Sequence, residues 1–116
     1  MTDTSFTIRQ IESGTEVDAA TVAFEDGAVT VEGTIWGADG CTTAALAGAD
    51  YDPASGALAV DVATVREPST GDAGCTQAIV EIDYRATATF ETGLPDRVVV
   101  THTRGQDSTE VTTAQP

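Results

Sequence analysis

The sequence predicts one all-β domain, a seven-stranded antiparallel β-sandwich of immunoglobulin-like type, and three observations carry that prediction. The chain has 116 residues, the size of a single core. From residue 5 to residue 104 the hydrophobic period is two, in segments rich in Val, Thr, Ile and aromatics separated by Gly and Pro. Three of those separators close hairpins whose register keeps apolar side chains on one face. A small closed β-barrel is the alternative arrangement of the same strands.

Residues 1–4 are polar and aperiodic and are predicted to be disordered. Strands follow at 5–11, 19–25, 28–36, 42–51, 57–65, 76–91 and 97–104. The second and third are joined by Asp26-Gly27, a pair that favours a tight primed turn. Closing it sets Phe24 opposite Val29, Val22 opposite Val31 and Ala20 opposite Gly33. The fourth strand is the soft one, because the alanines between Thr42 and Ala49 also suit a helix. Its turn, Asp52-Pro-Ala-Ser-Gly56, has the residues a longer hairpin loop needs, and sets Tyr51 opposite Leu58, Ala49 opposite Val60 and Ala47 opposite Val62. The sixth strand alternates from Ala78 through Val80, Ile82, Tyr84, Ala86 and Ala88 to Phe90. Thr92-Gly-Leu-Pro-Asp96 is predicted to fold the seventh back on it, with Phe90 meeting Val98, Ala88 meeting Val100 and His102 opposite Ala86. The acidic tail, 105–116, is predicted to be disordered.

Charge is the strongest compositional signal. Nineteen acidic residues face five basic ones, for a net −14, and all five bases are arginines (Arg9, Arg66, Arg85, Arg97, Arg104). Such a surface repels itself in dilute buffer, whereas in molar salt the screening length falls to about 3 Å. The composition therefore points to a halophile. The acids are spread along the chain and form no block, and no Lys/Arg cluster is present for nucleic acid. No stretch has the roughly 18 apolar residues of a membrane-spanning helix, and the first residues carry no secretory leader pattern. At face value the protein is cytoplasmic, or exported if a leader has been trimmed. A monomer without cofactor is the expected state.

Cys41 and Cys75 each follow a glycine and precede a strand, at the same end of the predicted domain. A disulfide between them closes a loop of about 35 residues and stabilises by about 3–4 kcal/mol on a chain-entropy argument. Two buried thiols are the other structural reading. A redox role has no Cys-x-x-Cys near a helix to support it. A metal site needs Cys41, Cys75, His102 and one carboxylate together, and the predicted register holds His102 about 30 Å from Cys75 along a strand. His102, the only histidine, continues the face of Val98 and Val100 and reads as a buried imidazole with a hydrogen-bond partner. No nucleophile elbow accompanies it. Asp50, Asp52, Ser55 and Asp72 are oxygen ligands of the type calcium takes, without the spacing of a calcium loop.

Trp36 falls on the opposite face from Val29, Val31 and Ile35, beside Gly37-Ala-Asp39-Gly40. As an exposed aromatic it is a contact residue for a ligand or partner, with Asp39 and Tyr51 as companions. A bulge at the glycines instead turns it over the edge of the core.

Gly40-Cys41, Tyr51-Asp52, Leu58-Ala-Val-Asp-Val62, Gly74-Cys75-Thr-Gln-Ala78, Tyr84 and Leu94-Pro-Asp-Arg-Val-Val-Val-Thr-His102 together resemble a group of small acidic haloarchaeal all-β proteins. The resemblance covers about residues 33–104. It implies an all-β fold and life in high salt, and no activity, so it transfers no functional residue.

Two function classes remain. The first is a non-catalytic binding or protein-interaction module that uses loop ends around Trp36. The second is a thiol-based redox or metal-binding protein using Cys41 and Cys75.

Overall fold

The computed structural model describes residues 2–66, 77–91 and 93–116. Eight strands occur among them: β1 (Asp3–Ser13), β2 (Asp18–Glu25), β3 (Ala28–Gly37), β4 (Thr42–Asp52), β5 (Ala57–Arg66), β6 (Val80–Thr89), β7 (Arg97–Arg104) and β8 (Asp107–Ala114). They form two separate four-stranded sheets, in the orders β1-β6-β3-β2 and β4-β5-β7-β8. The arrangement is a β-sandwich and not a closed barrel.

The period of two does the work of packing. Along β6 buried positions alternate with more exposed ones, placing Val80, Ile82, Tyr84, Ala86 and Ala88 inward. They meet Val29, Val31 and Ile35 of β3 within their own sheet, and Leu58, Val60, Val62, Val98 and Val100 of the facing sheet. Glu81, Asp83 and Arg85 take the outer face. There Arg85 and Arg9 both reach Glu32, at 2.9 and 3.0 Å, in exposed pairs that contribute little.

Two turns match their prediction. The β2–β3 hairpin sets Phe24 against Val29, Val22 against Val31 and Ala20 against Gly33. The β4–β5 hairpin sets Tyr51 against Leu58 and Ala49 against Val60, and the alanines of β4 are strand, not helix. Gly56 closes this second hairpin with φ +71°, a conformation that L side chains resist. Ala47 does not face Val62, however. The register shifts between Leu46 and Gly48, so that Leu46 takes that place and Ala47 becomes the extra residue of a bulge.

The predicted hairpin between the sixth and seventh strands does not form. β6 pairs with β1 and β3, whereas β7 lies in the other sheet, parallel to β5 and antiparallel to β8. Phe90 thus has no register with Val98, and His102 pairs across from Val62 and Thr109 instead of Ala86. The connecting segment crosses between sheets: Phe90 N donates to Gly27 O at 2.7 Å, Asp96 N donates to Gly56 O at 2.7 Å, and Pro95 is buried. The sixth strand is also shorter than expected, with Ala78 and Phe90 outside it. Residue 76 and Thr92 lie outside the described residues.

Both chain ends differ from expectation as well. β1 begins at Asp3, and residues 107–114, predicted to be disordered, form edge strand β8. Little of β8 is apolar. It is held by ladder hydrogen bonds to β7 across a two-residue turn at Gly105-Gln106, so the eighth strand needs no hydrophobic face of its own.

Candidate functional site

The sandwich is elongated, with extents of 50 × 23 × 23 Å. The loops at residues 14–17, 38–41 and 105–106 lie at one end, and the turns and connecting residues at 26–27, 53–56, 90–91 and 93–96 at the other. Three residues expected to share a contact surface are thereby divided. Trp36 and Asp39 sit at the first end. Tyr51 sits beside the 53–56 turn, half-buried, with its ring edge-on to Phe90 at 5.3 Å between centroids. Tyr51 is a packing residue of the opposite end.

At the Trp36 end a chain of polar side chains runs from one sheet to the other. It starts at Tyr84, which pairs directly across β3 with Gly33. A Cβ on Gly33 would lie 2.6 Å from the Tyr84 hydroxyl, so only glycine leaves the phenol its path. The Tyr84 hydroxyl lies 2.7 Å from His102 Nε2, and His102 Nδ1 lies 2.8 Å from Asp18 Oδ1. Asp18 also receives both arms of the Arg104 fork, Nη1 on Oδ1 and Nη2 on Oδ2, each at 2.7 Å. The Arg104 guanidinium in turn stands 4.4 Å above the centre of the Trp36 ring.

The charge states follow from the surroundings. Burial works against the Asp18 carboxylate, but the hydrogen bonds from Arg104 and His102 outweigh it and hold its pKa below the ordinary value. An ionised Asp18 only accepts, so His102 Nδ1 carries the proton and donates, and Nε2 accepts from the Tyr84 O–H. His102 has no exposed surface. Burial pushes its pKa below the usual imidazole value, against a smaller pull from Asp18. Burial, assisted by the negative Asp18, drives the Tyr84 phenol far above its ordinary value. Each member is partnered, and among the described residues no buried side-chain nitrogen or oxygen lacks a hydrogen bond.

The sequence singled out His102 and gave it a buried partner. It missed Asp18, Tyr84 and Arg104, although a signal was present. Asp18 is in phase with Ala20, Val22 and Phe24, and Arg104 with Val98, Val100 and His102. Two opposite charges on inward phases ask for each other.

Trp36 is half-buried, and one face of its ring is covered by Arg104. Asp39 shapes the adjoining loop: its carboxylate accepts from Cys41 N at 2.9 Å, Thr42 Oγ1 at 3.1 Å and Arg66 Nη1 at 2.9 Å. The Arg66 bond, with those from Cys41 and Thr42, lowers its pKa. Asp52 does similar work at the other end, accepting from Ala54 N at 3.0 Å. Cys41 is not a free thiol. Cys75 and Asp72 lie outside the described residues. Among the described residues no three His, Cys, Asp or Glu side chains converge to hold a metal ion. No helix among them is long and apolar enough to cross a membrane.

An open groove of about 460 Å³ crosses the outer face of the first sheet between Arg9, Thr21, Glu32, Thr34 and Asp83. Its ionic groups are committed locally, Arg9 to Glu32 and Asp83 to Thr34 at 2.6 Å. Comparison with protein-family models, with curated proteins and with solved structures finds no match.

Proposed function

We propose that the chain is a non-catalytic binding or protein-interaction module of a halophile, with its contact surface at the Trp36 end. One observation supports this reading above the others. The single imidazole is completely buried and has both nitrogens engaged, Nε2 with Tyr84 and Nδ1 with Asp18. A general base must lie within reach of the proton it removes from a substrate, and His102 has no exposed surface. The same arrangement weakens the redox alternative, because His102 is directed into the Tyr84–Asp18 chain and not toward Cys41. Trp36 and the Asp39-shaped loop then supply the aromatic and polar elements of a contact surface, and a disulfide between Cys41 and Cys75 belongs to the same proposal.

The experiment that separates the two classes is a thiol count on the non-reduced protein in molar salt, native and then denatured, by alkylation near neutral pH. No alkylation in either state is the expected result and leaves no thiol for chemistry. Rapid alkylation of the native protein contradicts the reading and favours the thiol-based one. The halophilic part has its own check. With a net charge of −14, dialysis from molar to low salt should lower stability, and a melting temperature unchanged by dialysis would remove self-repulsion as a significant force.

A further inference from the structure

Arg104 and His102 share an atom: both donate to Oδ1 of Asp18, at 2.7 and 2.8 Å. With His102 neutral, one carboxylate balances one guanidinium. A proton on His102 would place two cations on the same oxygen, in a region with little water to screen them. They differ in their freedom to leave. His102 is completely buried. Arg104 ends β7, keeps about a fifth of its side chain exposed (22%), and reaches water by turning its side chain outward.

We infer that the Trp36 end is a proton-operated clasp, in which protonation of His102 displaces the Arg104 guanidinium from Asp18 and from the face of Trp36. The inference goes beyond the binding reading and holds whether or not this end contacts a partner. The exchange conserves local charge. A proton from solvent adds to Nε2, the imidazolium replaces the guanidinium as counter-ion to Asp18, and Arg104 passes into water. Tyr84 changes role, since Nε2 becomes a donor and the phenol oxygen accepts from it.

The groups facing His102 make this exchange possible. From β2 comes the Asp18 carboxylate, from β6 the Tyr84 phenol, from β7 itself Arg104, and from β5 the more distant Asp61, whose carboxylate accepts from Thr103 Oγ1 at 2.8 Å. Asp18 and Asp61 favour a charged His102, whereas Arg104 opposes it. Burial opposes the imidazolium most, and departure of Arg104 removes the one charge that opposes it as well. Thr109, the β8 residue in register with His102, and Gly33, the β3 residue beneath Tyr84, carry no charge.

The chain carries its own reporters: Trp36 is the only tryptophan and His102 the only histidine. Trp36 fluorescence, the His102 imidazole NMR signals and far-UV circular dichroism are followed together in molar salt from pH 8 to about pH 5. The expected result is one step in Trp36 emission that coincides with the titration of His102, while the dichroism stays constant. Three outcomes overturn the clasp: flat emission, a step accompanied by loss of dichroism, or a step displaced from the His102 titration. His102→Gln keeps the core polar and uncharged and should abolish the step. Should that variant not fold, Arg104→Met decides: its emission at pH 8 should already equal that of the acid form of the parent and show no step. A step retained in either folded variant contradicts the inference.

Discussion

The two ends of the sandwich are held by different physics. At the Gly27–Gly56 end the backbone does the holding. Phe90 N bonds to Gly27 O, and Asp96 N and Arg97 N both bond to Gly56 O, so that turns and crossing segment are tied without a charged group. At the Trp36 end backbone bonds such as Gly14 N to Ile79 O and Thr42 N to Asp39 O stay within one sheet or loop. The tie between the sheets there is made of side chains, Tyr84, His102, Asp18 and Arg104, drawn from β6, β7 and β2. Backbone ties are indifferent to pH and nearly indifferent to sequence, provided that glycine occupies the strained position. Side-chain ties between buried ionisable groups are strong only in one protonation state and fail when one member is removed. One end is thus built to be permanent and the other to be conditional.

The comparison breaks most sharply at Asp18. Asp18→Ala leaves His102 Nδ1 and the Arg104 fork without their common acceptor, and should cost about 3–5 kcal/mol, read as a fall in the denaturation midpoint. A loss below about 1 kcal/mol would mean that the chain of polar groups is ornamental to stability. Gly33→Ala tests the path of Tyr84. The new methyl would stand 2.6 Å from both the Tyr84 hydroxyl and the Ala19 carbonyl oxygen, and the backbone oxygen has little freedom to yield. Its expected cost is about 1–3 kcal/mol, with a weakened Tyr84–His102 bond visible in the His102 NMR signals. At the opposite end, Gly56→Ala meets φ +71° and the Asp96 side chain, and should cost about 1–2 kcal/mol. That cost should be the same at every pH between 5 and about 8, unlike the Asp18 effect.

The smallest expected effect is the pH dependence of the intact protein. His102 binds its proton less readily in the folded than in the unfolded chain, whose imidazole has the ordinary value of 6.5. Stability is therefore full above about pH 6.5 and declines as the pH falls below it, by about 1.4 kcal/mol for each unit separating the two pKa values. Asp18, whose folded pKa is lowered, adds a second decline starting near its ordinary value of 3.8. Guanidinium titrations at several pH values measure the slope, and His102→Gln should flatten the upper part of it.

How much of this was legible in the sequence follows the same division. The Asp26-Gly27 hairpin was readable to the residue, because a two-residue turn fixes its own register locally. The inward faces of β3, β5, β6 and β7 were readable from alternation. Partnership was not. Alternation tells which side of a strand is buried and is silent on which strand lies beside it, so β7 was placed against β6 and not against its true neighbours β5 and β8. Ala47 was misplaced for a related reason, since a bulge inserts one residue without leaving a mark in an Ala-rich segment. β8 was overlooked because an edge strand bound through its backbone has no need of apolar residues, though Gly105-Gln106 had the form of a hairpin turn. At the site, His102 was found because histidine is conspicuous on an apolar face. Its partners were separated from it by 84 and 18 residues, and only the packing of one sheet on the other unites them.

The division into a permanent and a conditional end is tested most directly by amide hydrogen exchange, residue by residue, corrected for intrinsic rates, in molar salt at about pH 7.5 and pH 5.5. Protection of Phe90 and Asp96, whose amides bond to Gly27 and Gly56, should be equal at the two pH values. Protection of Gly14, whose amide bonds to Ile79 O at 2.9 Å, and of Thr42, whose amide bonds to Asp39 O at 3.3 Å, should fall at the lower pH. Equal loss at both ends, or no loss at the Trp36 end, would contradict the account.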